Sequence, residues 1–151
     1  MKTMNGKESN EVIIDAEGLI LGRMASKVAK RLLSGEKIVV VNAEKALISG
    51  KRLSILREKH DFLQVGHFRK GPFHPRRPDI IVKRVIRGML PRKKPRGIEA
   101  LKRLRVYIGV PKEYEGKKME KISEADGRDL RGPRIEVSEL ARNIGWKEIK
   151  R

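Results

Sequence analysis

The chain has 151 residues, with 37 Lys+Arg against 19 Asp+Glu and a formal net charge of +18. With 38% hydrophobic and 4% aromatic residues it can build one modest core, but its charge repels itself unless a polyanion neutralises it. Cysteine is absent, which excludes disulfides, thiol catalysis and thiolate metal sites; no apolar run approaches the ~20 residues of a membrane span. The opening MKTMNGKESN has no hydrophobic signal core and reads as a flexible N-terminus, residues 1–10. The expected partner is nucleic acid, ahead of an anionic membrane surface.

Val12–Asp15 reads as a strand and Gly22–Leu33 as a helix, with Ala25, Val28, Ala29, Leu32 and Leu33 on one face. Gly22 is expected to let this helix begin close to a neighbouring backbone. Ile38–Val41 is a run of four β-branched residues, the pattern of a strand buried on both faces in a parallel sheet. Ala46–Ser49 is a further short strand or turn, and Gly50–His60 a helix with Leu53 and Leu56 inward. Asp79–Leu90 places Ile81, Val82, Val85, Ile86 and Met89 at helical spacing, with Lys83, Arg84 and Arg87 on the other side. Pro78 and Asp79 suit the first turn of that helix. In Gly97–Leu104, Ile98, Leu101 and Leu104 point inward while Lys102 and Arg103 point outward. Arg105–Val110 is expected to be the final strand. Strand–helix–strand units of this length predict an α/β sandwich with right-handed crossovers.

After Pro111 the composition turns charged, mixed in sign and poor in apolar residues. Residues 112–134 are expected to form an irregular extension over a partner or in solvent. Val137–Ile149 closes the chain as a helix, with Ser138 as N-cap and Gly145 as stop. Trp146 either packs the tail onto the body or stacks on a base. The resulting division is an α/β nucleic-acid-binding domain, 11–111, and a charged C-terminal extension, 112–151, ending in a short helix.

Charge is concentrated. Gly66–Arg105 holds 14 Lys+Arg against only Asp79 and Glu99, a net of +12, so about two thirds of the excess sits in about a quarter of the chain. Five of the seven prolines fall in the same window and stiffen it. GHFRKGPFHPRRP should be extended, and PRKKPR (Pro91–Arg96) a short connector between two helices anchored by apolar faces. The expectation is a fixed basic surface. Arg69 and Lys70 on the extended segment, with Lys83 and Arg84 on the helix, are its candidate contacts.

Enzymatic signatures are missing. There is no G-x-G-x-x-G, no phosphate-binding G-x-x-x-x-G-K-[ST] and no G-x-S-x-G elbow. His60, His67 and His74 recur every seven residues, but Gly66, Gly71 and Pro72 break any helix that would align them as ligands. His67 and His74 are expected at phosphates or bases. No catalytic residue, metal site, cofactor or small-molecule substrate is expected.

Several ordered blocks carry a resemblance. They are D-A-x-x-x-x-L-G-R-x-A (Asp15–Ala25), V-N-A (Val41–Ala43), S-G-K (Ser49–Lys51), R-R-P (Arg76–Pro78), R-G-M-L-P (Arg87–Pro91) and R-G-I-E-A-L-K-R-L-R-V-Y-I-G (Arg96–Gly109). Over about Val12–Pro111 the chain resembles large-subunit ribosomal protein thirteen. Val65–Pro78 and the VSELARNIGWK tail resemble the family's archaeal form. The resemblance implies a three-layer α/β/α sandwich with a mainly parallel central sheet, basic loops and a C-terminal extension. It also implies a non-catalytic cytoplasmic role in the ribosome, binding ribosomal RNA beside neighbouring large-subunit proteins and supporting assembly and translation. Carried onto these blocks, the RNA-facing residues are Arg23, Arg76, Arg77, Arg87, Arg92, Lys93, Lys94 and Arg96. A regulatory module acting on messenger RNA outside the ribosome is the alternative, and an RNA-modifying enzyme is disfavoured by the missing signatures.

Overall fold

Val12, Ile13 and Ile14 carry the first strand, β1 (Glu11–Asp15), of a computed structural model that describes residues 11–149. The expected flexible N-terminus, 1–10, lies outside the described residues. β2 (Lys37–Val41) runs parallel to β1 on one side and to β4 (Leu104–Val106) on the other, with Ile13 opposite Val39 and Val40 opposite Val106. The run Ile38–Val41 belongs in this central place because both of its faces are covered. Ile38 and Val40 join Ile14 in a large core beneath the helices, while Val39 and Val41 join Ile13 against Tyr114. The fold class is α/β with a mainly parallel sheet.

α1 (Leu21–Leu33) makes the crossover from β1 to β2 and buries Met24, Ala25, Val28, Ala29 and Leu32. It packs against α3 (Pro78–Gly88) and α4 (Pro95–Lys102). α3 buries Ile81, Val82 and Ile86, as their spacing predicts. The other sheet face is covered by Tyr107, Val110, Tyr114 and Met119, where the chain makes only a single 3₁₀ turn, Lys112–Tyr114.

Several expectations are corrected. Gly22 makes no close approach, since a Cβ there would meet nothing within 4 Å. β3 (Leu47–Ser49) pairs antiparallel with β5 (Arg134–Glu136) in a separate two-stranded sheet, so β4 is not the last strand. β4 also starts a residue early, at Leu104, and stops at Val106, beyond which Tyr107 and Gly109 accept bonds from Ala43 and Asn42. α2 (Arg52–Gln64) contains no buried residue, and Leu53 is 73% exposed rather than inward. The apolar residues of α2 are dispersed around its circumference and it leans mainly on the C-terminal helix. Met89 lies past the end of α3, and Ile98 of the eight-residue α4 is also exposed, because α4 meets the core through Gly97 and Ala100.

The segment after Pro111 docks on the body, burying Tyr114, Ala125 and Gly127 while most of its other residues stay exposed. Glu120 exchanges two backbone hydrogen bonds with the open edge of β1, to Asp15 at 3.0 Å and Ile13 at 2.8 Å. Ala125 is fully buried, and its carbonyl accepts from Ile20 at 2.7 Å. Arg31 reaches Glu120 at 3.0 Å, and Lys27 pairs with Glu124. Main-chain bonds and ion pairs add here to the apolar contacts of Tyr114, Met119 and Ile122, and an apolar count does not register them.

α5 (Val137–Asn143) begins after Glu136, so Ser138 is not its N-cap; Ser138 is buried and donates to the Glu136 carboxylate at 3.1 Å. Gly145, at φ +110°, turns the chain after the helix, and the Trp146 amide returns to the Ala141 carbonyl at 2.9 Å. Trp146 packs against the main core, which decides its role in favour of holding the tail.

Candidate nucleic-acid interface

α3 organises the basic residues. Its apolar side is pressed into the core, so the helical period turns Lys83 and Arg84 to solvent. Arg87 is half-buried in the last turn, near the negative end of the helix. At the other end Arg76 and Arg77 lead into Pro78, the first helical residue. Arg77 pairs with Asp79 at 3.1 Å, and the Arg76 guanidinium lies over Gly145 beyond α5.

The preceding segment, expected to be extended, instead folds into a tight turn at its tip. His67 and Gly71 exchange backbone bonds at 3.0 and 2.8 Å, and His67 Nδ1 accepts from the Arg69 amide at 3.2 Å. Arg69 and Lys70 stand exposed on this tip beside Phe68, whose ring stacks on His67 at 4.8 Å and receives the Arg69 guanidinium at 5.3 Å. Arg84 donates to the Phe73 carbonyl at 2.9 Å, which ties the loop to α3.

Between α3 and α4 the connector closes as a turn, with the Lys94 amide on the Pro91 carbonyl at 3.0 Å. Pro95 then starts α4. Arg92, Lys93 and Lys94 are exposed on this turn, and Arg96 is exposed in the first turn of α4. Arg23 stands on the solvent side of α1. Arg103 is corrected from the outward set, because its guanidinium turns in and donates to the Leu32 carbonyl in the last turn of α1 at 2.8 Å.

Carboxylates are spent elsewhere. Lys27 beside Glu124 holds that carboxyl below its usual range, and Arg128 does the same for Asp126. Among the described residues, Arg77 is the one member of the twelve candidates with an ion-pair partner. The surface therefore keeps its positive charge.

Sequence reasoning passed over the aromatic part of this surface. Phe62, Phe68 and Phe73 are 42%, 79% and 65% exposed. They are all three phenylalanines in the chain and fall within twelve residues, a clustering legible without a structure.

The sequence profile of ribosomal protein L13 matches residues 9–113. The chain belongs to that family. It is similar to large ribosomal subunit protein uL13 of Methanosarcina barkeri, 51% identical over 137 residues that cover 89% of this chain and 98% of the relative. The uL13 of Methanopyrus kandleri is 49% identical over 138 residues, 89% and 87% of the two chains. That of Aeropyrum pernix is 44% identical over 146 residues, 94% of each. These relatives are archaeal, as the Val65–Pro78 segment and the tail imply. Family membership makes this a structural ribosomal protein and not an enzyme.

Proposed function

We propose that the chain binds ribosomal RNA of the large subunit through α3, the Pro91–Arg96 turn and the 67–77 loop. In that role it scaffolds subunit assembly and serves translation in the cytoplasm, beside neighbouring large-subunit proteins. Residues 11–111 supply the binding body, and 112–149 brace it. The observation that carries this reading is a dense set of exposed cations with almost no local carboxylates. Such a set gains free energy by releasing counterions from RNA phosphates. Arginine adds paired hydrogen bonds to phosphate oxygens. Anchoring the loops before RNA arrives reduces the ordering entropy that binding would cost.

Ultraviolet crosslinking in cells, followed by sequencing of the attached RNA, tests it. Reads concentrated at a few places in the large ribosomal RNA are expected. Reads dispersed over messenger or transfer RNA overturn the proposal in favour of a regulatory module.

A further inference from the structure

A cleft of about 280 Å³ opens between α2 and α3 beside the basic surface. Leu63, Ile81 and Val85 give it apolar walls, and Phe62 and His74 line it as a tilted pair with centroids 5.5 Å apart. Its charged lining residues are Lys59 and Arg84, and no lining residue is acidic. The Lys59 ammonium sits 5.6 Å from the Phe62 ring. Arg84 uses one of its N–H groups on the Phe73 carbonyl and has others to offer.

We propose that this cleft receives one unstacked nucleobase from a loop or bulge of RNA. The base lies against Phe62 and His74, and its flanking phosphates meet Lys59 and Arg84. The inference rests on the RNA-binding reading above and assigns a base-recognition site to it. Size favours this occupant: the cleft lies at the small end of ligand pockets, which run from roughly 300 to 1,000 Å³, so it suits a single heterocycle and not a helix. Charge favours it too, because two cations and no carboxylate match a ring carried on phosphates better than an apolar protein side chain. Aromatic surfaces of this kind hold splayed bases in single-stranded recognition. A neighbouring depression shares Leu63 and His74 and adds His67, Phe68, Phe73 and Arg76, which gives the strand a path out of the cleft.

The test uses the full-length chain with a transcript of large-subunit ribosomal RNA, irradiated, digested and read by mass spectrometry. A nucleotide adduct on the peptide bearing Phe62 or His74 is expected. Phe62→Leu and His74→Leu should each bind the transcript about tenfold more weakly, with the salt slope unchanged because phosphate contacts remain. Thermal melts of both variants confirm folding, and a variant that fails to fold is replaced by Arg84→Gln, expected to lower the slope by roughly 1. Adducts confined to other peptides, with variant affinities equal to the parent, overturn the base site and leave RNA binding intact. A crosslink from this cleft to a neighbouring protein in whole subunits also overturns it. Absence of any RNA binding by the parent chain removes both readings.

Discussion

Gly97, in the first turn of α4, lies so close to the Pro91 carbonyl that a Cβ would overlap the oxygen. That carbonyl also accepts from the Lys94 amide at 3.0 Å. One main-chain oxygen thus closes the turn bearing Arg92, Lys93 and Lys94 and seats the helix that follows. The need here is for space, since Gly97 has ordinary helical backbone.

Gly97→Ala should therefore destabilise the chain by about 1–3 kcal/mol, because backbone on both sides must shift. Gly22→Ala is the matched control: its Cβ enters open space in α1, and the better helix former should be neutral or stabilise by up to about 1 kcal/mol. Chemical denaturation of both variants checks the contrast. Equal losses would remove the steric argument.

Arg103→Met should cost about 1.5–3 kcal/mol, the usual range for a charged hydrogen bond, by withdrawing the donor from the Leu32 carbonyl. RNA affinity measured under folded conditions should keep its salt slope. A reduced slope with unchanged stability would return Arg103 to the RNA-facing set.

Replacing Arg92, Lys93, Lys94 and Arg96 together by Ala should leave the melting temperature nearly unchanged, since all four are exposed. If about four phosphate contacts vanish, the log–log dependence of RNA affinity on salt should fall by roughly 3 units. An unaltered slope assigns the turn to solvent or to protein neighbours.

Glu124 and Asp126 have carboxyl pKa values lowered by hydrogen bonds from Lys27 and Arg128. Their ionised forms favour the folded chain. This stabilisation is complete above the ordinary carboxylate range and is lost as pH falls through the lowered folded values. Urea midpoints should drop on acidification below about pH 4.5, and Lys27→Met should flatten part of that drop at low salt. Because Glu124 and Lys27 are both exposed, the difference should be small and fade at high salt. Matching acid profiles for parent and variant at low salt would dissociate the ion pair from docking of the segment.

Much of the fold was legible in side-chain period. The doubly buried run Ile38–Val41, the stripe Met24–Leu32 and the face Ile81–Ile86 each have one arrangement that hides them from water. Elements that bury little were less legible. Leu53 and Ile98 look inward by spacing, but α2 and α4 have too little neighbouring surface to cover them. Arg103 reads as one more surface cation until α1 places the Leu32 carbonyl within its reach.

The sequence by itself determined the net charge, its concentration between Gly66 and Arg105, and the family blocks from Asp15 to Gly109. Composition and local periodicity are properties of the chain and need no partner to be read. Tertiary structure alone decided that the segment after Pro111 closes the β1 edge, that β3 pairs with β5, and that Phe62 and His74 meet at a cleft. Those outcomes rest on main-chain hydrogen bonds and long-range contacts. Their strength depends on which groups the fold brings together, and no local window of sequence contains both partners.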